Sequence, residues 1–134
     1  MRKQFRAISL FSGAGGMDVG FEKAGVKVVL ANELMQYAAE TYKMNHPDSI
    51  ILNNDINKVL YDLYSMKNID IVFGGPPCQG FSVAGKMNPD DERSRLIFTF
   101  LDVVKHLKPK AFVMENVKAL AKLDRWKDVK QVFK

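Results

Sequence analysis

The segment Gly74-Gly75-Pro76-Pro77-Cys78-Gln79-Gly80-Phe81-Ser82 places the only cysteine of the chain directly behind two prolines. Proline fixes φ and removes a backbone donor, so the pair makes a rigid, aimed segment. A lone cysteine is usually a small buried hydrophobe. The polar flank of Gln79, Gly80 and Ser82 argues instead for a partly exposed thiol. Such a thiol is a nucleophile once nearby positive charge or a helix N-terminus gives it thiolate character, and the sequence does not name that group. Glu115, in Glu115-Asn116-Val117, is the second candidate. A carboxyl in a partly closed cleft holds a proton at neutral pH when desolvated, although the same residue type often just starts a helix.

A different chemistry is suggested nearer the N-terminus. Phe11-Ser12-Gly13-Ala14-Gly15-Gly16 is a glycine-rich turn after an apolar run. Glycines let the backbone take positive φ and approach a ligand without an intervening Cβ. By itself the turn is either a nucleotide-type loop or a tight connection. Glu33 follows Gly13 by 20 residues, the interval at which a carboxylate can accept both hydroxyls of a ribose. Asp55-Ile56 can supply an acceptor for an exocyclic amine and an apolar wall for a ring. Asn54-Asp55 ahead of a helix also reads as an N-cap.

These residues need a scaffold that gathers them. Arg6–Phe11, Val26–Ala31, Ser49–Leu52, Ile69–Phe73 and Lys110–Met114 are short apolar runs that read as strands. Between them, Met17–Ala24 reads as a helix stopped by Gly25, with Asp18 and Glu22 toward its positive end. Met35–Asn45 reads as a helix with Tyr37, Ala38, Thr41 and Tyr42 on one face, and Asn57–Met66 as one with Val59, Leu60, Leu63 and Tyr64 inward. Ser94 is placed to cap a helix whose Leu96, Ile97, Phe100, Leu101, Val104 and Leu107 recur at helical spacing. A further helix is expected after Val117.

Strands alternating with helices imply an α/β fold: a mostly parallel sheet with helices on both faces, joined by right-handed crossovers. Ligands of such sheets bind beyond the C-terminal strand ends. The glycine turn, Glu33, Asp55, the Pro-Pro-Cys segment and Glu115 each follow one of the five strands.

Composition agrees with one domain over residues 1–134: the chain is 47% hydrophobic and 26% charged, ordinary for a globular protein. No repeat, linker or low-complexity stretch is present. No apolar run approaches the ~20 residues of a transmembrane helix, the basic N-terminus lacks a signal-peptide core, and one cysteine forms no internal disulfide. A cytoplasmic location is therefore expected. Residues 105–134 carry nine Lys/Arg against three Asp/Glu, and residues 1–104 eleven against twelve. The basic end suits phosphate contacts or is simply a solvated helix face.

Taken together, Phe-Ser-Gly-x-Gly-Gly, Asn32-Glu33, Asp55-Ile56, Gly-Pro-Pro-Cys-Gln-Gly-Phe-Ser, Asp91-x-Arg93-x-x-Leu96 and Glu-Asn-Val resemble the first blocks of the DNA cytosine-5 methyltransferase family, from Ala7 to about Leu120. The resemblance implies a Rossmann-like methyltransferase fold and S-adenosylmethionine as cofactor. Phe11, Ser12, Gly13, Ala14, Gly15, Gly16, Glu33, Leu34, Asp55, Ile56, Pro76 and Leu96 would hold it. It implies double-stranded DNA as partner, with the target cytosine flipped into the pocket. Cys78 would attack the base with Glu115 assisting, Gln79 and Ser82 would lie against the DNA, and no metal is implied.

The resemblance lacks the family's Gln-Arg-Arg block, its target-recognition region and its last cofactor block. The sheet is accordingly expected to be incomplete at its C-terminal end. Activity is expected to need a complementary C-terminal part, a partner subunit or self-association. Two other readings compete: a catalytically silent module that keeps cofactor or DNA affinity, and a nicotinamide-type oxidoreductase, in which Pro-Pro-Cys has no role.

Overall fold

The computed structural model describes residues 3–77, 95–116 and 131. Among them the chain runs β1 (Arg6–Leu10), α1 (Gly16–Lys23), β2 (Lys27–Asn32), α2 (Gln36–Asn45), β3 (Ile50–Leu52), a 3-10 turn (Ile56–Lys58), α3 (Leu60–Tyr64), β4 (Ile71–Gly74), α4 (Arg95–Leu107) and β5 (Ala111–Met114). The five strands form one sheet in the order β3-β2-β1-β4-β5, and every neighbouring pair is parallel. The chain therefore builds outward from β1 on one side, then crosses back to build β4 and β5 on the other. The crevice between β1 and β4 is the switch point at which such sheets bind ligands. Backbones come so close there that a Cβ on Gly74 would overlap the carbonyl oxygen of Leu10.

Side chains of the central strands β1 and β4 alternate between two cores. Ile8, Leu10 and Val72 join Leu63 of α3 and Ile97, Phe100, Leu101 and Val104 of α4 in the larger core. Ala7, Val28 and Phe73 face the other way and meet Met17 and Phe21 of α1, where the Phe21 and Phe73 rings stack at 4.0 Å. Helices thus cover both faces, as the alternating sequence pattern requires. Burying Phe100, Ile97 and Leu101, each 0–1% exposed, contributes roughly 1.5–3 kcal/mol per side chain as an upper estimate.

Local chemistry sets the helix ends. Gly25, at φ 90°, closes α1 with paired bonds from its amide to Glu22 O and from the Val26 amide to Phe21 O, the Schellman pattern. Lys108, at φ 49°, ends α4 just before Pro109. Far from the site, Asp70 ties three strand starts together: its Oδ2 accepts from the Arg6 amide at 2.9 Å and its Oδ1 pairs with Lys110 Nζ at 3.1 Å.

Two expectations are corrected. The helix expected over Asn57–Met66 is a 3-10 turn followed by the five-residue α3, broken at Val59, whose φ of −115° is not helical. On α2 the buried residues are Ala39 and Tyr42, continued by His46; Tyr37 is 69% exposed and Thr41 is also exposed. The expected helix after Val117 lies outside the described residues. Among the described residues no helix is long and apolar enough to cross a membrane.

Candidate functional site

A cavity of about 490 Å³ opens beyond the C-terminal ends of β1 to β4. Phe11 and Gly13 come from the turn after β1, Asn32, Glu33, Leu34 and Met35 from the end of β2, Asn54, Asp55 and Ile56 from beyond β3, Gly75 and Pro77 from beyond β4, and Leu96 from α4. Glu33 binds this wall together. Its Oε2 accepts from the Gly13 amide at 2.8 Å and its Oε1 from the Met35 amide at 3.2 Å. Behind it, buried Asn32 donates from Nδ2 to Leu52 O at 2.8 Å and Asn54 O at 2.9 Å, and Asn53 Nδ2 reaches the carbonyls of Glu33 and Leu34. Two asparagine side chains thus tie the segment of Glu33 to that of Asp55.

Asp55 caps the 3-10 turn, its Oδ1 accepting from the Asn57 amide at 2.8 Å. The N-cap role is therefore real, and it coexists with a place on the cavity wall. Ile56 is 3% exposed and continuous with the larger core, so the apolar patch it adds to the wall is backed by that core. Phe11 has φ 54°. A bulky residue in that region is strained by about 1–3 kcal/mol, a cost found most often at ligand sites.

A second recess of about 150 Å³ lies on the α1 side of the same strand ends and reaches Glu115. Glu115 stands where β5 leaves the sheet, its amide donating to Gly74 O at 2.9 Å. A Cβ on Gly75 would lie 2.8 Å from Glu115 Oε2, so glycine is what lets the carboxylate settle over this backbone. Asn116 Nδ2 donates to Pro76 O at 3.2 Å. Glu115 and Asn116 are thereby fastened to the Gly-Pro-Pro segment that leads into Cys78. Cys78, Gln79 and Ser82 themselves lie outside the described residues.

Of the residues expected to hold a cofactor, Phe11, Gly13, Glu33, Leu34, Asp55, Ile56 and Leu96 line the larger cavity. Ser12 lines the smaller recess, and Ala14 and Gly16 are exposed. Gly15 is buried, at φ 95°, against His46 and Tyr42. Pro76 is buried with its carbonyl turned to Asn116, and Pro77 borders the cavity in its place. Asn32, Asn54 and Met35 were not expected in the wall; an asparagine directly after a buried strand was the available signal for the first. Asp18, expected toward the positive end of its helix, stands in the first turn of α1 and is fully buried, its carboxyl pushed up by desolvation.

An open parallel sheet in this order, helices on both faces and a cavity beyond the strand ends constitute the Rossmann-like methyltransferase fold. A protein described as a DNA modification methyltransferase encoded within a prophage of E. coli matches it with a TM-score of 0.80 and 32% identity, over 97% of this chain and 37% of that one. The S. pombe Dnmt2 methyltransferase matches with a TM-score of 0.68 at 19% identity over 97% of this chain and 39% of that one, a likeness of fold alone. The profile of the C-5 cytosine-specific DNA methylase family matches residues 5–134, and the chain belongs to that family.

Type II methyltransferase M.AquIA of Picosynechococcus sp. is 42% identical over 135 residues, which is 96% of this chain and 54% of that protein. Type II methyltransferase M1.HphI of Haemophilus parahaemolyticus is 44% identical over 120 residues, 84% of this chain and 32% of that protein. The chain spans about half the length of the first and about a third of the second.

Proposed function

We propose that this chain binds S-adenosylmethionine in the larger cavity and supplies Cys78 and Glu115 to the methylation of cytosine C5 in DNA. The observation that carries the reading is the double role of one short segment. Pro77 borders the cavity while Gly75 and Pro76, just before it, hold Glu115 and Asn116. Gly75 borders both the cavity and the recess that holds Glu115, so donor site and acid adjoin the segment that leads into Cys78.

The cavity fits the cofactor. Its volume lies within the roughly 300–1,000 Å³ usual for small-molecule sites. Each Glu33 oxygen uses one acceptor direction on a backbone amide and keeps another for a ribose hydroxyl. Asp55 takes the exocyclic amine, Ile56 and Leu34 flank the ring, and Gly13 brings backbone close without a side chain. Phe11 and Leu96 close the apolar sides, while Ser12, Ala14, Gly15, Gly16 and Pro76 shape the turn and the floor.

Cytosine C5 is a poor nucleophile in the intact ring, and C6 is out of reach within a base stack, so the base is flipped out. Cys78 Sγ adds to C6, and the electron pair of the 5,6 double bond moves toward C5. Glu115 hydrogen-bonds and protonates N3 as charge builds on the ring. S-adenosylmethionine, when bound, supplies the electrophilic methyl group for C5. Loss of the C5 proton to a base re-forms the double bond and expels the Cys78 thiolate. Gln79 and Ser82 lie against the DNA, and the basic stretch 105–134 meets phosphates. Target recognition is assigned to a complementary C-terminal part or a partner subunit.

The test is transfer of a labelled methyl group to duplex DNA by this chain together with a candidate recognition subunit. Transfer that stops with Cys78→Ala supports the reading, and transfer that survives it overturns the reading.

A further inference from the structure

The face of the glycine turn that looks away from the cavity is backed by a polar unit to which the reaction gives no role. Asp18, in the first turn of α1, is completely buried. Its Oδ1 accepts from Ser9 Oγ of β1 at 2.9 Å, and its Oδ2 from the Tyr42 hydroxyl of α2 at 2.6 Å. Tyr42 lies against His46, ring centroids 4.5 Å apart, and His46 Nδ1 is 2.9 Å from Glu22 of α1. A carboxyl stays in a core only when its oxygens are satisfied. Here the two donors come from two other elements, so satisfying Asp18 fixes α1 against both β1 and α2.

This unit reaches the turn at Gly15. A Cβ there would collide with His46 Nε2 and come within 2.9 Å of Tyr42 Cδ2. His46 is 3% exposed, and its Nε2 has no hydrogen-bond partner among the described residues. A buried imidazole edge without a polar partner is a cost, and what it gains here is direct packing on the Gly15 backbone. The turn is therefore held from two sides. Glu33 grips the Gly13 amide on the cavity side, and Tyr42 and His46 wall off Gly15 behind.

We propose that Asp18, Tyr42 and His46 act as positioning residues that set the Ser12–Gly16 turn, and through it cofactor affinity, without touching the cofactor. The effect on affinity rests on the S-adenosylmethionine reading; the effect on the turn does not. Tyr42→Phe removes one donor and Asp18→Ala removes the acceptor, whereas Asp18→Asn keeps a group that rotatable Ser9 and Tyr42 hydroxyls can still bond. Asp70→Asn, at the far end of the strands where Asp70 holds the Arg6 amide and Lys110, is the control for plain loss of stability.

The full chain and its variants are to be compared by amide hydrogen exchange resolved over residues 12–19 and by calorimetric titration with S-adenosylmethionine. Tyr42→Phe and Asp18→Ala are expected to speed exchange in the turn, and to weaken binding, by about tenfold each. Asp18→Asn is expected to restore both to within about threefold. Asp70→Asn is expected to lower global stability at neutral pH while leaving turn exchange and affinity near the parent values. If Tyr42→Phe behaves like Asp70→Asn in both measurements, the proposal is overturned. If the parent chain binds no S-adenosylmethionine but turn exchange responds as described, the positioning role stands and the cofactor reading falls.

Discussion

Glu33 Oε2 accepts a 2.8 Å hydrogen bond from the amide of Gly13, joining the end of β2 to the turn after β1 across 20 residues of sequence. The bond makes one wall of two separate motifs. It also orients the carboxylate, because the Met35 amide takes the other oxygen. Each oxygen keeps further acceptor capacity, and Glu33 lines the cavity.

Glu33→Gln tests that orientation. One amide oxygen cannot serve the Gly13 and Met35 amides and two hydroxyls together. Hydrogen bonds to a charged group contribute about 1.5–3 kcal/mol, so S-adenosylmethionine is expected to bind about 10- to 100-fold more weakly. Calorimetry of the variant checks this, with the unfolding midpoint as a measure of intact fold.

Gly15 and Gly25 separate backbone strain from crowding. Both have strongly positive φ, but only Gly15 has neighbours where a Cβ would go. Gly25→Ala is expected to cost about 1 kcal/mol through the left-handed backbone alone. Gly15→Ala adds overpacking and is expected to cost about 3 kcal/mol. Denaturant unfolding of the two variants should preserve this order.

Two buried carboxyls are expected to pull stability in opposite directions with pH. The Arg6 amide, and then Lys110, hold Asp70 below the ordinary carboxylate range. Its contribution is present above the unfolded value of about 3.9 and is lost as pH falls through the folded one. The stability gap between the parent chain and Asp70→Asn should therefore close in acid. Desolvation raises Asp18, partly opposed by the Tyr42 and Ser9 hydroxyls. Its contribution is present below the unfolded value and lost as pH rises through the folded one. Asp18→Asn should gain on the parent chain as pH rises. Unfolding midpoints collected from acid to neutral pH read both slopes.

The strands and the position of the site were legible because apolar runs stopping at glycine, acid or proline leave few other arrangements. What escaped were choices settled by tertiary partners. On α2 the stripe Tyr37-Ala38-Thr41-Tyr42 fits the helical period as well as Ala39-Tyr42-His46 does, and the acceptor that selects the second is Asp18 of another helix. Asp18 itself fits a surface dipole role by local rules, and only the Ser9 and Tyr42 hydroxyls make its burial tolerable. Local rules also could not say which proline borders the cavity. Pairing of β4 with β5 decides it, by bringing Asn116 to the carbonyl of Pro76 and leaving Pro77 on the cavity.

The central claim, attack of Cys78 on cytosine C6 ahead of methylation at C5, is tested most directly with duplex DNA whose target base is 5-fluorocytosine. After methyl transfer that ring has no C5 proton to lose, so the Cys78 thiolate cannot be expelled. Incubation with this chain, a candidate recognition subunit and S-adenosylmethionine is expected to leave a protein–DNA conjugate that survives denaturation, maps to Cys78 and is absent from Cys78→Ser. Methylation of ordinary cytosine without any such conjugate, or a conjugate that persists in Cys78→Ser, would contradict it.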